Sequence, residues 1–270
     1  MLLCGAAAVS GCSSGFGGMF TSSTTKEVNP DPPEKLYSDA DTLLGKGKFR
    51  DAAAKFEEVD RQHPYAPQAR RAIVMQAYAL YKAGKYQPAI DAARRYTTLH
   101  PGTKEAALAQ HIIASAMYDE ISDPGRDQGQ TKRALQELKT LVQRYPDSEY
   151  AAFAQNRIRV AGDTLAAHEM TVGRYYLKER NYLAAINRFK TVVSDYQTTT
   201  QVEEALMRLT ECYMALGIKQ EAQTAAAVLG HNFPGSRWYK DAYALLQSDG
   251  LAPREDTGSW LSRTWKKVTL

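Results

Sequence analysis

Cysteine is scarce in this chain, with only three among 270 residues. Cys4 and Cys12 lie near the N-terminus, and Cys212 lies alone in the segment LTECYMALG. Three cysteines at this spacing exclude a disulfide framework and a cysteine-rich metal site. Because apolar residues recur at helical spacing around Cys212, we expect its thiol to be buried and inert.

Catalytic signatures are missing as well. The sequence contains no glycine-rich phosphate loop, no G-x-S-x-G, no H-E-x-x-H and no paired cysteines. Its histidines are scattered, at His63, His100, His111, His168 and His231. We therefore expect no enzymatic activity, no cofactor and no metal site.

The body of the chain also lacks long apolar runs and blocks of like charge. After the N-terminus no stretch of eighteen apolar residues occurs, so the sequence predicts no membrane-spanning helix. The 34 Lys and Arg against 30 Asp and Glu leave a net charge of +4, without a run of five or six like charges. We therefore expect no nucleic-acid partner.

What the sequence does contain begins with the apolar stretch MLLCGAAAVSGC. The tetrapeptide VSGC at 9–12 resembles a bacterial lipobox, in which the chain is cut before the cysteine and the cysteine is acylated. Acyl chains on Cys12 would anchor the protein, since each buried CH₂ contributes about 0.8 kcal/mol. Ser13 rather than Asp follows the cysteine, which favours the outer membrane. No positive charge precedes Leu2, so we expect the signal to begin upstream of the given sequence.

Composition divides the chain into four segments. We expect a signal peptide at 1–11, followed by a lipidated cysteine and flexible tether at 12–33. A repeat domain should follow at 34–248, with an N-terminal half at 34–148 and a C-terminal half at 149–248. The last segment, 249–270, should be a linker with an amphipathic tail. In the tail, apolar residues lie at helical spacing beside basic ones, at Trp260, Leu261, Trp265 and Val268. Three fates stay open for it: docking on a partner, lying at a membrane interface, or fraying.

A helical repeat fills the body of the chain. The segment from Gly47 to Pro64 recurs from Gly84 to Pro101, which gives a period of 37 residues. Small residues mark five copies, at Ala52, Ala89, Ala134, Ala185 and Ala222. A small residue lets two antiparallel helices approach closely, while glycine ends the first helix and proline follows the second. The pattern predicts an all-α, tetratricopeptide-like superhelix of about five helix pairs with a concave groove.

Two spacings between copies are wider, at 45 and 51 residues. They predict an insertion near SDPGRDQGQ and a long helix from about Glu149 to Glu179. The fourth copy also carries Gln197 where the other copies have proline.

Strings between the repeats occur in a specific order: YD at 118–119, RDQ at 126–128, RYPDSEYA at 144–151, GRYY at 173–176 and AINRF at 185–189. In that order and spacing they resemble the BamD family, the lipoproteins of the outer-membrane β-barrel assembly machinery, over about residues 12–250. The resemblance implies a non-enzymatic scaffold, lipid-anchored to the outer membrane and facing the periplasm. It would bind the periplasmic domains of the barrel-forming BamA subunit, other Bam lipoproteins and unfolded β-barrel precursors.

Two surfaces are candidates for these roles. Helix phase directs six side chains of the first three repeats toward the concave side: Tyr37, Val74, Tyr78, Tyr81, His111 and Tyr118. Aromatic rings with polar tips suit an extended apolar peptide, although packing between repeats would explain the same tyrosines equally well. In the fourth repeat Asn187 and Arg188 match the family's pattern on the helix expected near BamA, where a guanidinium could meet a carboxylate. A solvated arginine is the alternative there.

Two other functional classes stay open from the sequence alone. A lipoprotein adaptor for peptidoglycan or polysaccharide-export enzymes would share the lipobox and the helical repeats. A wall-cleaving enzyme with a helical superstructure would need a further compact domain with a catalytic carboxylate, and no segment of the given sequence is left over for one.

Overall fold

A computed structural model describes residues 31–121 and 127–266 of the chain. These residues form twelve α-helices and no strand, and the helices belong to one compact unit. The predicted lipidation site Cys12, most of the tether, part of the insertion and the end of the tail lie outside the described residues.

Ten of the helices form five consecutive hairpins. The pairs are α1 (Pro33–Gly45) with α2 (Phe49–Gln62), α3 (Pro67–Lys82) with α4 (Tyr86–Leu99), α5 (Glu105–Asp119) with α6 (Gly129–Arg144), α7 (Glu149–Lys178) with α8 (Tyr182–Asp195), and α9 (Val202–Ala215) with α10 (Lys219–Asn232). Two more follow, α11 (Arg237–Ser248) and α12 (Trp260–Lys266). The all-α, tetratricopeptide-like architecture predicted from the sequence is confirmed, including the long helix α7.

The small residues of the repeat lie where the paired helices cross. Ala52, Ala89, Ala134, Ala185 and Ala222 are all 0% exposed. In the fourth hairpin the helices lie close together at Gly173 of α7, where an added Cβ would lie 2.5 Å from Cε1 of Phe189 on α8. Phe189 is itself fully buried, so its ring has little room to move.

The turns inside the hairpins need a left-handed residue. Gly47, Gly84 and Gly217 supply it with φ near +70°, at +72°, +70° and +72°. The fourth hairpin places Arg180 at the equivalent position with φ +58°. A side chain is unfavourable in this conformation, so the sequence departs here from the glycine rule that the other turns follow.

Each hairpin packs on the next mainly through its second helix, and the first helices of the first four hairpins also contact one another. Helix α1 contacts α3, α3 contacts α5, and α5 contacts α7. Side chains on one face of these first helices therefore come together across several repeats. The long helix α7 spans about 45 Å at 1.5 Å per residue, so its two ends lie in different parts of the array.

The tail packs on the chain's own helices. Helix α12 contacts α10, and Leu261 is 0% exposed inside the hydrophobic core of the last repeats. The structure therefore shows that the tail docks, and that it docks on helices of the same chain and not on a separate partner. Among the described residues no helix combines the length and apolar character needed to cross a bilayer.

Candidate functional site

Four of the predicted groove residues lie together with three that the sequence did not single out. We call this set the aromatic surface; it comprises Tyr78, Tyr81, His111, Tyr118, Tyr150, Phe153 and Arg157. The side chains come from α3, α5 and the first half of α7, which are first helices of consecutive hairpins. The repeat stacking thus gathers residues from 78 to 157 on one face.

Arg157 is the centre of the aromatic surface. Its guanidinium lies 4.5 Å from the ring centroid of Tyr118 and 4.6 Å from that of Phe153. It also pairs with Asp119, at 3.3 Å between Nη2 and Oδ1. The hydroxyl of Tyr81 donates a hydrogen bond to the other carboxylate oxygen of Asp119 at 2.7 Å. A chain of polar contacts therefore ties α3, α5 and α7 together beneath the rings.

His111 contributes an uncharged ring to this surface. Its imidazole stacks on Tyr150, with 4.6 Å between centroids and 20° between planes, and meets the edge of Phe153 at 5.8 Å. Burial, followed by the positive charge of Arg157, lowers the pKa of His111 from 6.5 to about 4. The ring is therefore neutral near pH 7 and behaves as an aromatic packing group.

Two open clefts flank the aromatic surface. One, of about 680 Å³, lies between the start of α5 and the α6–α7 turn and is lined in part by Tyr150. The other, of about 470 Å³, is lined by Tyr118, Arg157 and Val160 together with the α8–α9 turn. Two apolar side chains of α7 are also exposed, Phe153 at 49% and Val160, which lines the second cleft, at 52%. Exposed apolar side chains beside open clefts can accept side chains of an extended peptide.

Two of the six predicted groove residues do not join this surface. Tyr37 packs edge-on against Phe56 at 5.3 Å, with the guanidinium of Arg71 at 6.0 Å from its ring. Its hydroxyl is buried and has no hydrogen-bond partner among the described residues. Val74 is 1% exposed inside the core and offers no surface to a ligand. The prediction for Val74 therefore needs correction, because its side chain points between helices and not into a groove.

The residues that the sequence reasoning missed follow a simple spacing. Tyr150, Phe153 and Arg157 occupy positions i, i+3 and i+7 of α7, which share one face of a helix. This spacing is visible in the sequence, but the groove predicted above is confined to the first three repeats, whereas α7 opens the fourth.

The second predicted surface lies on α8. We call Leu183, Asn187, Arg188 and Thr191 the α8 surface. Asn187 is exposed, and Arg188 pairs with Glu169 of α7, at 3.2 Å between Nη1 and Oε2. Leu183 is 66% exposed, which leaves an apolar side chain beside the polar ones. A shallow cleft of about 240 Å³ lies here, lined by Tyr176, Ala184, Asn187, Arg188 and Thr191.

A charge network joins the neighbouring helices α7 and α9. Glu204 accepts from Arg174 and from Arg208, each at 3.4 Å, and Arg208 also reaches Glu211 at 2.8 Å. These pairs link α7 to α9 in the C-terminal half of the array. Such pairs hold side chains in defined directions and contribute little to stability.

The candidates for chemistry are few in the part of the chain that the structure describes. No group of three or more His, Cys, Asp or Glu side chains there has a metal-binding arrangement. Cys212 is 0% exposed, as predicted, and burial raises the pKa of its thiol to about 12. A thiol with this pKa stays protonated and is a poor nucleophile.

A family model matches residues 29–229; the family is YfiO, described as an outer membrane lipoprotein. A relative from Caulobacter vibrioides, named outer membrane protein assembly factor BamD, is 46% identical over 222 residues, covering 82% of this chain and 73% of the relative. A protein of the same name from Rickettsia prowazekii is 39% identical, covering 80% of this chain and 86% of its own length.

Among solved structures, a tetratricopeptide-repeat protein from Thermus thermophilus is similar over 79% of this chain and 98% of its own. The sequence identity is 18% and the TM-score is 0.35. A TM-score this low does not support a fold assignment. The assignment depends on the helix pairing described above.

Proposed function

The chain belongs to the YfiO family of outer membrane lipoproteins, and we propose that it is a non-enzymatic lipoprotein scaffold of the machinery that assembles β-barrel proteins in the outer membrane. One observation carries this proposal. The family match runs from 29 to 229, so it spans all five hairpins up to the last turn of α10 and includes both candidate surfaces. Relatives that cover most of this chain are named assembly factors.

In this proposal the α8 surface binds the periplasmic domains of the barrel-forming BamA subunit. Glu169 holds the guanidinium of Arg188 through one nitrogen, and Arg188 is still 43% exposed. A positioned but accessible guanidinium suits a carboxylate on a partner, because it can form two parallel hydrogen bonds. The exposed Leu183 one turn away supplies apolar area for the same contact.

In this proposal the aromatic surface binds unfolded β-barrel precursors. Its rings offer rigid apolar area at low entropic cost to the apolar side chains of an extended peptide. The neutral His111 keeps the centre of the surface free of an additional positive charge near pH 7.

The anchor in this proposal is Cys12. The sequence VSGC supports acylation of its sulfur, and the helical domain would then work at the end of the tether on the periplasmic face of the outer membrane. Mass spectrometry of the mature protein isolated from membranes tests this step. We expect the acylated form of Cys12, and its loss in Cys12→Ser; an unmodified cysteine in the wild type contradicts the anchor.

Capture of BamA tests the scaffold assignment. Arg188→Glu places a second carboxylate beside Glu169 and opposite the partner's acidic group, so we expect a loss of about 2 to 5 kcal/mol in binding. This corresponds to a thirtyfold to several-thousandfold weaker capture of purified BamA periplasmic domains.

A matched control is Arg133→Glu, because Arg133 is an exposed arginine on α6 whose hydrogen bond goes to Gln130 three residues away. The control should capture BamA like the wild type, and circular dichroism melts should show that both variants fold. Equal capture by Arg188→Glu and the wild type removes Arg188 from the interface. Failure of the wild type to capture BamA contradicts the scaffold assignment itself.

A further inference from the structure

The segment after α11 lies along the outside of the last hairpin. We call residues 252–265 the strap. Helix α11 ends at Ser248, and Gly250 turns the chain with φ +70°. The strap then runs past the beginning of α10 before it forms the short helix α12.

The first part of the strap is held by hydrogen bonds to one turn of α10. The amide of Gln223 donates from Nε2 to the carbonyl oxygen of Ala252 at 2.7 Å, and the Arg254 N–H donates to the carbonyl oxygen of Gln223 at 3.3 Å. The Asp256 N–H donates to the hydroxyl of Thr224 at 3.2 Å. Proteins commonly bind extended segments through hydrogen bonds to the backbone of the segment, and the strap is held in this way.

The second part of the strap is held by apolar side chains and by the Ser259 hydroxyl, which donates to Glu221 of α10 at 2.7 Å. The indole N–H of Trp260 donates to the hydroxyl of Tyr213 on α9 at 3.0 Å. The ammonium group of Lys190 on α8 lies 4.4 Å from the centroid of the Trp260 ring. Leu261 is 0% exposed beside them. The strap thus fills a groove to which α8, α9 and α10 all contribute.

Helix α10 has two rows of buried residues, one more than it needs to pack against its hairpin partner. Ala222, Ala226 and Leu229 are buried at the spacing that faces a hairpin partner, as in the other second helices. In α10 a second row is also buried, with Thr224, Ala225 and Val228. The extra row follows from the position of α10 in the last hairpin, where the array needs a cap in place of another repeat.

Two features of the strap oppose its docking. Helix α12 has seven residues, which is too short to be stable in water by itself, so it forms only when it is docked. The hydroxyl of Ser262 is buried and has no hydrogen-bond partner within the described part of the chain. A buried polar atom without a partner opposes docking.

We propose that residues 252–265 are a detachable strap, which docks in the groove of α8, α9 and α10 with Trp260 as its anchor and opens without unfolding of the hairpins. Opening uncovers the turn of α10 around Gln223 and Thr224, to which the strap is hydrogen-bonded when docked. Because Lys190 lies three residues after Asn187 on α8, the docked indole also borders the α8 surface. The open groove would accept the same segment supplied as a separate peptide.

Native-state hydrogen exchange on the wild-type full chain tests detachment. We expect the amides of Arg254, Asp256 and Leu261 to have protection factors at least about tenfold lower than those of Val228 and Leu229 in α10. Local opening of the strap produces this difference. Equal protection in the strap and in α10 would mean that both open only together, and it overturns the proposal.

Binding of the strap in trans tests the groove. In the full chain with Trp260→Ala the strap should be released, and a labelled peptide of residues 252–270 should bind at least about tenfold more tightly than to the wild type, whose own strap competes. The matched control is the same peptide with Trp260→Ala, which should not bind. Absence of binding to the folded variant overturns the proposal, and so does a loss of helical signal throughout the array on Trp260→Ala.

Discussion

The aromatic surface and the α8 surface are built from the same repeat and differ in what the repeat presents. In the first, three consecutive first helices contribute stacked rings around Arg157, and apolar side chains such as Phe153 stay exposed. In the second, exposed polar groups lie on a second helix, and Arg188 is held by a carboxylate of its neighbour. The helix pairs therefore act as a scaffold, and the side chains between the repeat positions decide what each region can bind.

The difference also shows how each surface is stabilised. The rings are held through long-range contacts between α3, α5 and α7, whereas Arg188 depends on one pair between adjacent helices. Changes in the aromatic surface should therefore affect folding as well as binding. Changes on the α8 surface should mainly affect binding.

Arg157→Met should break the aromatic surface and have the largest effect on stability. It removes the cation from between two rings and leaves the partly buried Asp119 without its charge partner. Because both groups retain some solvent contact, we expect a loss of about 2 to 3 kcal/mol, below the cost of breaking a fully buried pair. The thermal midpoint should fall by roughly 5 to 10 °C.

The matched control is Arg159→Met, two residues further along α7. Arg159 is exposed and bonds within its own helix to Asn156. Its replacement should change stability by about 0.5 kcal/mol or less. Equal midpoints for Arg157→Met and Arg159→Met would show that the pair with Asp119 does not hold the surface together.

Gly173→Ala should disturb the hairpin that carries the α8 surface. The added methyl group would meet the buried ring of Phe189, so the two helices must separate slightly, at a cost of about 1 to 3 kcal/mol. Urea denaturation measures the loss. Gly45→Ala is the control, because an added Cβ there has open space and alanine favours a helix. If Gly173→Ala and Gly45→Ala are both more stable than the wild type, Gly173 does not lie in close contact with Phe189.

The pH dependence of stability should sharpen the comparison, since His111 belongs to the aromatic surface alone. Its pKa is about 4 in the folded chain and 6.5 ordinarily, so the unfolded chain binds the proton more tightly. The stabilisation is present above pH 6.5 and is lost as the pH falls toward 4. The shift corresponds to at most about 3 kcal/mol, and we expect about 1 to 2 because the ring is partly exposed.

His111→Phe keeps the ring and removes the titration. Thermal midpoints measured between pH 4 and 7 should therefore fall less steeply with acid in the variant than in the wild type. Parallel curves for the two proteins would assign the acid sensitivity to other groups.

Arg180→Gly should have the smallest effect, and in the opposite direction. Arg180 adopts φ +58° in the turn before α8, where the other described hairpin turns with a positive φ use glycine. Relief of that conformation is offset in part by the greater entropy of the unfolded glycine chain, so we expect a gain of up to about 1 kcal/mol. Chemical denaturation measures it, and a clear loss would indicate that the arginine side chain stabilises the turn.

Much of the array could be predicted because its signals are local. The alanines at the helix crossings, the glycines in three of the turns and the proline after four of the five second helices fix helix ends and pairing within each copy. The site was harder to predict. Tyr78 and Tyr81 keep part of their surface accessible, whereas Val74 on the same helix is fully buried, since helix phase gives a direction and not the depth of the neighbouring helix.

The sequence by itself determined the helix pairs, their turns and the burial of Cys212, because each depends on residues within a few helical turns of one another. Only the tertiary structure decided that Asp119 joins Tyr81 to Arg157, that α7 completes the aromatic surface, and that the tail docks on α10. These contacts link residues roughly forty positions apart, such as Tyr81 to Asp119 and Tyr213 to Trp260. Their geometry depends on how successive hairpins stack, and the spacing of residues within a single repeat carries no information about it.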